Sequence, residues 1–416
     1  MSAAPASSLR AALEAALGFE KRGAAAGNVT IGRGRLDGAA VHVALVDSRF
    51  ASGSIGTAVA AKLQALLKVV ALERTPLVLY LDSAGAKVSE GLAALGAFRH
   101  LFRAGLDAAL SGAPIAAVLG RNCFGGASML AHLAMQRCFS PDTRLGMSGP
   151  AVLAAAAGMD PLDEVFAAMA QAAMAPAARA KASRANTVWS PGSDLTTWLR
   201  TALAPLRDPV AAFAERHAEL RERLGKGVGE PAWEAVRRRD LERIYPAGYE
   251  TREWQGLIEG RGRSDAGEER ILGVVGDRPL SAAGAWHIAH SAWVLARERP
   301  ARLRVLLDCA THAARLEEES LVLSEYVTDL SCGLAAAARA GVQVSLTVLG
   351  KAGGGVYVAL AAPAASVASV YGANIQVLPG SAVAAILGES REALPSFDSY
   401  RAAGVADAEL KLGLTP

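Results

Sequence analysis

Aromatic residues make up only 5% of this 416-residue chain, and cysteine is rarer still, with four copies. Cys123, Cys138, Cys309 and Cys332 are scattered, with no CxxC and no metal-ligand spacing. That excludes a disulfide framework and a zinc ribbon, and points to reduced thiols in the cytoplasm. A surplus of one charge is also missing. Lysine and arginine number 43 against 40 acidic residues, a formal net charge of +3, too small an excess to argue for nucleic acid. No uninterrupted, strongly apolar run reaches the ~18 residues that a membrane span needs. The stretch Met1 to Gly18 contains Glu14 and lacks a signal-peptide core. Three short signatures are absent too: GxxxxGKS/T, GxGxxG at the first strand–helix turn, and the GxSxG elbow. Their absence argues against a P-loop, a dinucleotide fold and a serine hydrolase. What the chain has is apolar bulk, 52% hydrophobic and rich in alanine, with 42 glycines for close helix packing and tight turns. The length predicts two domains.

Short β-branched and leucine-rich runs alternate with alanine-rich helical stretches. Val41 to Asp47, Leu77 to Asp82 and Ile115 to Gly120 read as buried parallel strands, with Thr57 to Leu72 and Gly91 to Leu110 as helices between them. The alternation is the βαβ signature, and it occurs twice. Leu303 to Asp308 is followed by a helical Arg315 to Gly333, then a strand over Val342 to Gly350. Asp82 lies 44 positions before Gly126, and Asp308 lies 46 before Gly354. Each glycine cluster precedes a proline turn by a similar distance, at Pro150 and Pro379. Such matched landmarks predict a duplicated domain. Between the halves, Pro205 to Arg252 is charged and reads as linker plus exposed helix. Its arginines form either a solvated face or a basic rim for coenzyme phosphates or an acidic carrier.

Phe124-Gly125-Gly126-Ala127 follows one buried strand and Gly353-Gly354-Gly355 another, each opening a helix. Glycines there permit close helix–strand packing, or let a ligand reach backbone N–H groups that no helix bond uses. A second loop, Ser83-Ala84-Gly85-Ala86, ends the neighbouring strand. Two adjacent strand-end loops can aim two N–H donors at one oxygen, which is an oxyanion hole. In the second half the matching loop, Cys309-Ala310-Thr311-His312, has no glycine.

The stretches LYLDSAGAKVSEGLAAL, GAPIAAVLGRNCFGGASMLAHLA and TRLGMSGPAVLAAAAGMD resemble the β subunit of biotin-independent malonate decarboxylase. LLDCATHAARLEEESL, VLGKAGGGVYVALAAPA and ANIQVLPGSAVAAIL resemble its γ subunit more loosely. Both belong to the carboxyltransferase branch of the crotonase-like superfamily. The resemblance implies a β–γ fusion: two tandem crotonase-like α/β domains, 1–204 and 253–416, joined by a charged helical linker, 205–252, and facing each other as a pseudo-dimer. It implies oxyanion donors at Ala86, Gly125 and Gly126, with Gly354 and Gly355 in the second half. Ser83, Ala84, Gly85, Lys87, Lys351, Gly353 and His312 would line the substrate. Lys87 stands where the β subunit usually has arginine, and the glycine-free loop departs from the family pattern.

The implied reaction is decarboxylation of a malonyl thioester to the acetyl thioester through an enolate. The substrate is carried on an acyl carrier protein or coenzyme A. The thioester arm comes with the substrate, so neither a tightly bound cofactor nor biotin is expected, and no metal. Other malonate decarboxylase subunits and a homo-oligomer are the expected partners, with no nucleic acid or membrane. His287, His290, His312 and Tyr357 are candidates for the proton donor. Two alternatives compete: a biotin-dependent acyl-CoA carboxyltransferase, and a non-catalytic scaffold that binds an acyl carrier.

Overall fold

A computed structural model describes residues 8–159, 163–225, 229, 231–387 and 395–411. They form two compact units. One collects the chain up to Lys87, His100–Ala212 and Arg315–Glu325; the other collects Val88–Arg99, Phe213–Ala314 and the chain from Tyr326 onward. Each half of the sequence thus lends a short segment to the unit built mainly by the other half.

The first unit is organised by a sheet in the order Glu20–Lys21, Val29–Leu36, Ala39–Val46, Leu77–Ser83, Ile115–Phe124, Gln136–Phe139, Asn186–Val188. Val29–Leu36 and Ala39–Val46 form an antiparallel hairpin. Its turn is Asp37-Gly38, both at positive φ (51° and 84°), the backbone that a two-residue hairpin turn requires. From Ala39–Val46 onward the strands run parallel. Every residue of Leu77–Ser83 is buried, as a parallel strand covered on both faces should be. Arg144–Gly146 pairs with the far end of Ile115–Phe124.

The second unit repeats this plan. Tyr249–Trp254, Leu257–Ser264 and Gly267–Val274 are antiparallel; Arg302–Cys309, Gln343–Gly353, Ser366–Val370 and Ala408–Leu410 follow in parallel. Asn374–Gln376 pairs with the end of Gln343–Gly353, as Arg144–Gly146 does in the first sheet. The repetition extends to irregularities. The ladder shifts register between Leu81 and Ser83, and again between Leu307 and Cys309. At both places an aspartate braces the shift: Asp82 Oδ1 accepts the Asn122 N–H at 3.0 Å, and Asp308 Oδ1 accepts the Lys351 N–H at 2.8 Å. A Cβ at Gly120 would lie 2.6 Å from the Asp82 Cβ, and one at Gly350 would lie 2.2 Å from Asp308 Oδ1, so each brace needs its glycine. Two mixed α/β sheets on one plan match the duplicated α/β arrangement expected from the sequence.

The charged stretch between the halves, expected as linker and exposed helix, is built into the second unit from Phe213 onward. The helix Pro209–Leu224 buries Phe213, Arg216, His217 and Leu220. Arg216 stacks on the Phe213 ring at 4.5 Å, which covers its apolar stem. Asp329 Oδ2 accepts the His217 Nδ1–H at 2.7 Å, and the imidazole stacks on Trp286. The stretch ends in the strand Tyr249–Trp254, a full member of the second sheet. Charge density misleads here because the helix also buries an apolar face, with Arg216 and His217 taken into it, while most of its other charged side chains stay exposed.

Candidate active site

The strand Leu77–Ser83 ends in a loop whose backbone is almost fully bonded. The Ala84 N–H donates to Ser52 O (2.9 Å), the Gly85 N–H to Ser83 Oγ (3.1 Å) and the Lys87 N–H to Ile55 O (3.0 Å). Ile55 N–H donates in turn to Gly85 O at 2.8 Å, so Ile55 and Ala86 form a parallel bridge. In that bridge residues 85 and 87 face Ile55, and the peptide N–H of Ala86 faces away. Among the described residues it makes no hydrogen bond. Gly85 has φ +96°, and a Cβ there would stand 2.8 Å from Phe124 O. Only glycine lets this loop approach the next one so closely.

That next loop is the junction of Ile115–Phe124 with the helix Gly126–His132. Gly125 is at φ 55°, ψ −130°, a region that side chains avoid. Its N–H donates to Met147 O at 3.2 Å, and its carbonyl accepts from Ser128 and Met129. The Gly126 N–H, next along, makes no hydrogen bond among the described residues. A Cβ on Gly125 would come within 3.9 Å of Gly85 Cα, so the two loops are neighbours. Ala86 and Gly126 therefore offer unpaired amides from adjacent loops, whereas the amides of Ala84, Gly85 and Gly125 are spent on the protein's own oxygens. Arg144 steadies the second loop: its Nε and Nη2 donate to Asn122 Oδ1 (3.0 and 2.6 Å), and its guanidinium lies over the Phe124 ring.

Sequence reasoning missed one residue of this neighbourhood. Glu319, in the helix Leu316–Ser320, belongs to the first unit and is fully buried. Its Oε2 accepts the Met147 N–H at 3.0 Å and its Oε1 the Ser148 N–H at 2.7 Å. Arg179 Nη2 stands 3.7 Å from Oε2. Burial pushes the Glu319 carboxyl up to about 7, against the pull of Arg179 and the two amides. In the sequence it is one of three consecutive glutamates, which reads as an ordinary solvated helix start.

In the second unit Gly354 (φ 53°) takes the place of Gly125, followed by Gly355 in the first turn of the helix Gly354–Ala361. Gly353 packs against the neighbouring loop: a Cβ would lie 2.6 Å from Ala310 O. Leu280 bridges His312 there as Ile55 bridges Ala86, so His312 stands where Ala86 does. The glycine of the first loop is replaced by Thr311, which is not at positive φ. The His312 imidazole is buried, and desolvation pulls its pKa down to about 4, so near neutral pH it is uncharged and no imidazolium acid. Lys351 is exposed but ion-paired with Asp277 at 2.7 Å. A cavity of about 280 Å³ beside this loop is lined by Ala310, Lys351, Ala352, Asn374, Gln376 and Gly380 among others. Of the other proton-donor candidates, Tyr357 is fully buried and its hydroxyl donates to Val405 O. His290 Nδ1 lies 3.3 Å from His217 Nε2, on a helix, Ala282–Glu298, that also carries His287.

Among the described residues no group of three His, Cys, Asp or Glu side chains could hold a metal ion, and no helix is long and apolar enough to cross a membrane. All four cysteines are buried and unpaired with one another.

Residues 4–175 match the family described as the carboxyl transferase domain. The methylmalonyl-CoA carboxyltransferase 12S subunit of Propionibacterium freudenreichii subsp. shermanii is 31% identical over 144 residues, which are 34% of this chain and 27% of that protein. The chain spans between about a fifth and a half of the length of the curated relatives it matches. Among solved structures, a transcarboxylase 12S hexamer with hydrolysed methylmalonyl-coenzyme A bound is similar at 20% identity and a TM-score of 0.40, covering 97% of this chain and 86% of that one. A Pseudomonas malonate decarboxylase hetero-tetramer in complex with malonate is similar at 22% identity and a TM-score of 0.45, covering 54% of this chain and 92% of that one.

Proposed function

We propose, for a chain that carries a carboxyl transferase domain over residues 4–175, that it acts on a malonyl thioester and releases carbon dioxide to leave the acetyl thioester. The observation that carries this reading is the pair of unspent amides at Ala86 and Gly126, in loops held together by Gly85, which has no room for a side chain, and Gly125, whose backbone conformation side chains avoid.

The chemistry follows from where the charge goes. When the bond between the α-carbon and the carboxylate breaks, carbon dioxide leaves and the electron pair enters an enolate whose charge sits mainly on the thioester oxygen. Two N–H donors about 3 Å from that oxygen bind the enolate more tightly than the ground-state carbonyl, and so lower the barrier. One such donor contributes about 3 kcal/mol, or roughly 100-fold in rate. The α-carbon then takes a proton and the acetyl thioester leaves. The thioester arm is that of coenzyme A or an acyl carrier protein. The amides of Gly354 and Gly355, with Lys351 and the cavity beside them, are a second acyl or carboxylate locus of the same protein, and further subunits supply the carrier.

A second reading, transfer of a carboxyl group between biotin and an acyl-CoA, is favoured by the carboxyltransferase names of the curated relatives. The two readings separate cleanly. The full chain is incubated with malonyl-CoA or malonyl-carrier protein, without biotin, and acetyl thioester is followed. We expect acetyl thioester and carbon dioxide in equal amounts. Turnover that appears only when biotin or a biotinylated carrier is added rejects decarboxylation in favour of transfer. Saturable binding with no product under either condition leaves the scaffold.

A further inference from the structure

We propose that Glu319 is a positioning residue for the thioester-oxygen site: its carboxylate holds the Met147–Ser148 turn, and through the Met147 carbonyl it holds the Gly125 peptide that presents the Gly126 amide. This rests on the thioester reading of Ala86 and Gly126.

The geometry is a relay of backbone groups. Successive N–H groups, of Met147 and Ser148, converge on the two oxygens of one carboxylate at 3.0 and 2.7 Å. The other polar group of Met147, its carbonyl, accepts the Gly125 N–H at 3.2 Å. Gly125 has no side chain to anchor it and sits in a mirror-β region that glycine enters freely, so its peptide is held only by hydrogen bonds: its carbonyl by Ser128 and Met129, its N–H by Met147 O. Room for the carboxylate is reserved: a Cβ on Gly146 would lie 2.8 Å from Glu319 Oε2.

Arg179 does not fork the carboxylate as an ordinary ion pair would. Its Nε and Nη2 donate to Leu145 O (2.9 and 2.6 Å) and its Nη1 to the Glu319 backbone carbonyl (2.6 Å). It clamps both segments by their main chains, and leaves the carboxylate oxygens to the two amides. A fully buried carboxylate whose counter-charge stands 3.7 Å away costs stability, and an apolar side chain would cost less. Its presence makes sense as a pair of fixed acceptors for this turn.

The charged groups that act on it most are Arg179 from the helix Pro176–Ala182 and Glu318 from its own helix; Met174 packs beside Gly146. Protonating Glu319 puts a hydrogen on one of the two acceptor oxygens, so one amide of the turn loses its partner. Burial brings that proton on near pH 7. The turn is therefore held by two bonds above neutrality and by one below it.

The test uses the full chain. Malonyl-thioester turnover is measured from pH 5.5 to 9 for the native protein, Glu319→Gln and Glu319→Asp, alongside hydrogen exchange of the segment around Met147 and Ser148, corrected for intrinsic rates. We expect native kcat to fall through about pH 7 as one proton binds. Glu319→Gln should lose that acid limb, with kcat lowered about tenfold and KM within about twofold. Glu319→Asp should keep an acid limb at a displaced pH, and it carries the test should the glutamine variant not fold. An acid limb unchanged in Glu319→Gln, or unmoved in Glu319→Asp, overturns the proposal. Absence of native turnover at every pH rejects the thioester reading instead. In that case the exchange data decide the positioning role, and equal protection of the Met147 and Ser148 amides in native and glutamine proteins at pH 8 overturns it.

Discussion

Gly125→Ala lowers thioester turnover at least about 100-fold while the first unit stays folded. The argument is one of backbone energy, not of space. A methyl group at Gly125 meets nothing closer than 3.9 Å, so no clash drives the effect. The dihedral pair φ 55°, ψ −130° is the difficulty, because a Cβ there costs of order 1–3 kcal/mol. The peptide escapes that cost by rotating, and rotation swings the Gly126 N–H away from the thioester oxygen. Loss of one oxyanion donor is about 100-fold in rate. A modest cost to folding is thus amplified at the site. Gly85→Ala is the contrasting variant: its methyl would lie 2.8 Å from Phe124 O in addition to the strain at φ +96°, so it should lose both activity and stability. Steady-state kinetics with a malonyl thioester, beside thermal melts, check both. Near-native turnover by Gly125→Ala means the amide at 126 is not a donor in the reaction.

Arg137→Ala unfolds the first unit at a much lower temperature than any surface substitution does. Arg137 and Glu325 are both fully buried, with Nη2 to Oε1 at 3.2 Å. The guanidinium is spread across other partners as well: Nε donates to Asn186 Oδ1 at 2.6 Å and Nη1 to Ala134 O at 3.1 Å. Truncating the arginine leaves a buried carboxylate without its main counter-charge, a situation that costs about 3–5 kcal/mol. For a unit of this size that is about 10 °C in Tm. The pair also ties the strand Gln136–Phe139 to the segment Arg315–Glu325, which arrives from the far half of the sequence. Replacing both partners by leucine should recover much of the loss, since buried charge and not the contact itself is the expense. Calorimetry of the three proteins decides it: a single variant that melts within about 2 °C of native, on the same size scaling, would mean that Glu325 finds another partner.

How much was legible in advance differs sharply between kinds of feature. The parallel strands announced themselves as short β-branched runs, and the strands Leu77–Ser83 and Ile115–Phe124 begin where those runs begin. The doubled plan was visible in the spacing of Asp82 to Gly126 and of Asp308 to Gly354, because both aspartates brace the same ladder shift. Gly125 and Gly354 were recognisable because positive φ at a strand–helix junction needs glycine whatever surrounds it. The charged stretch from 205 to 252 was opaque. Its arginines look the same in sequence whether they face water or, like Arg216, lie against a phenyl ring.

Local backbone chemistry, then, was written in the order of residue types: period, strand ends, glycine hinges and the repeat all depend on neighbours within a few positions. Which amides remain unspent was not. Ala86 and Gly126 keep theirs while Ser52, Ile55 and Met147 take up the amides of Ala84, Lys87 and Gly125, and those oxygens come from other parts of the chain. Glu319 reaches Met147 across 172 positions. Hydrogen-bond accounting at a buried turn depends on which distant segment folds over it, and long-range closure of that kind leaves no periodic trace in a sequence.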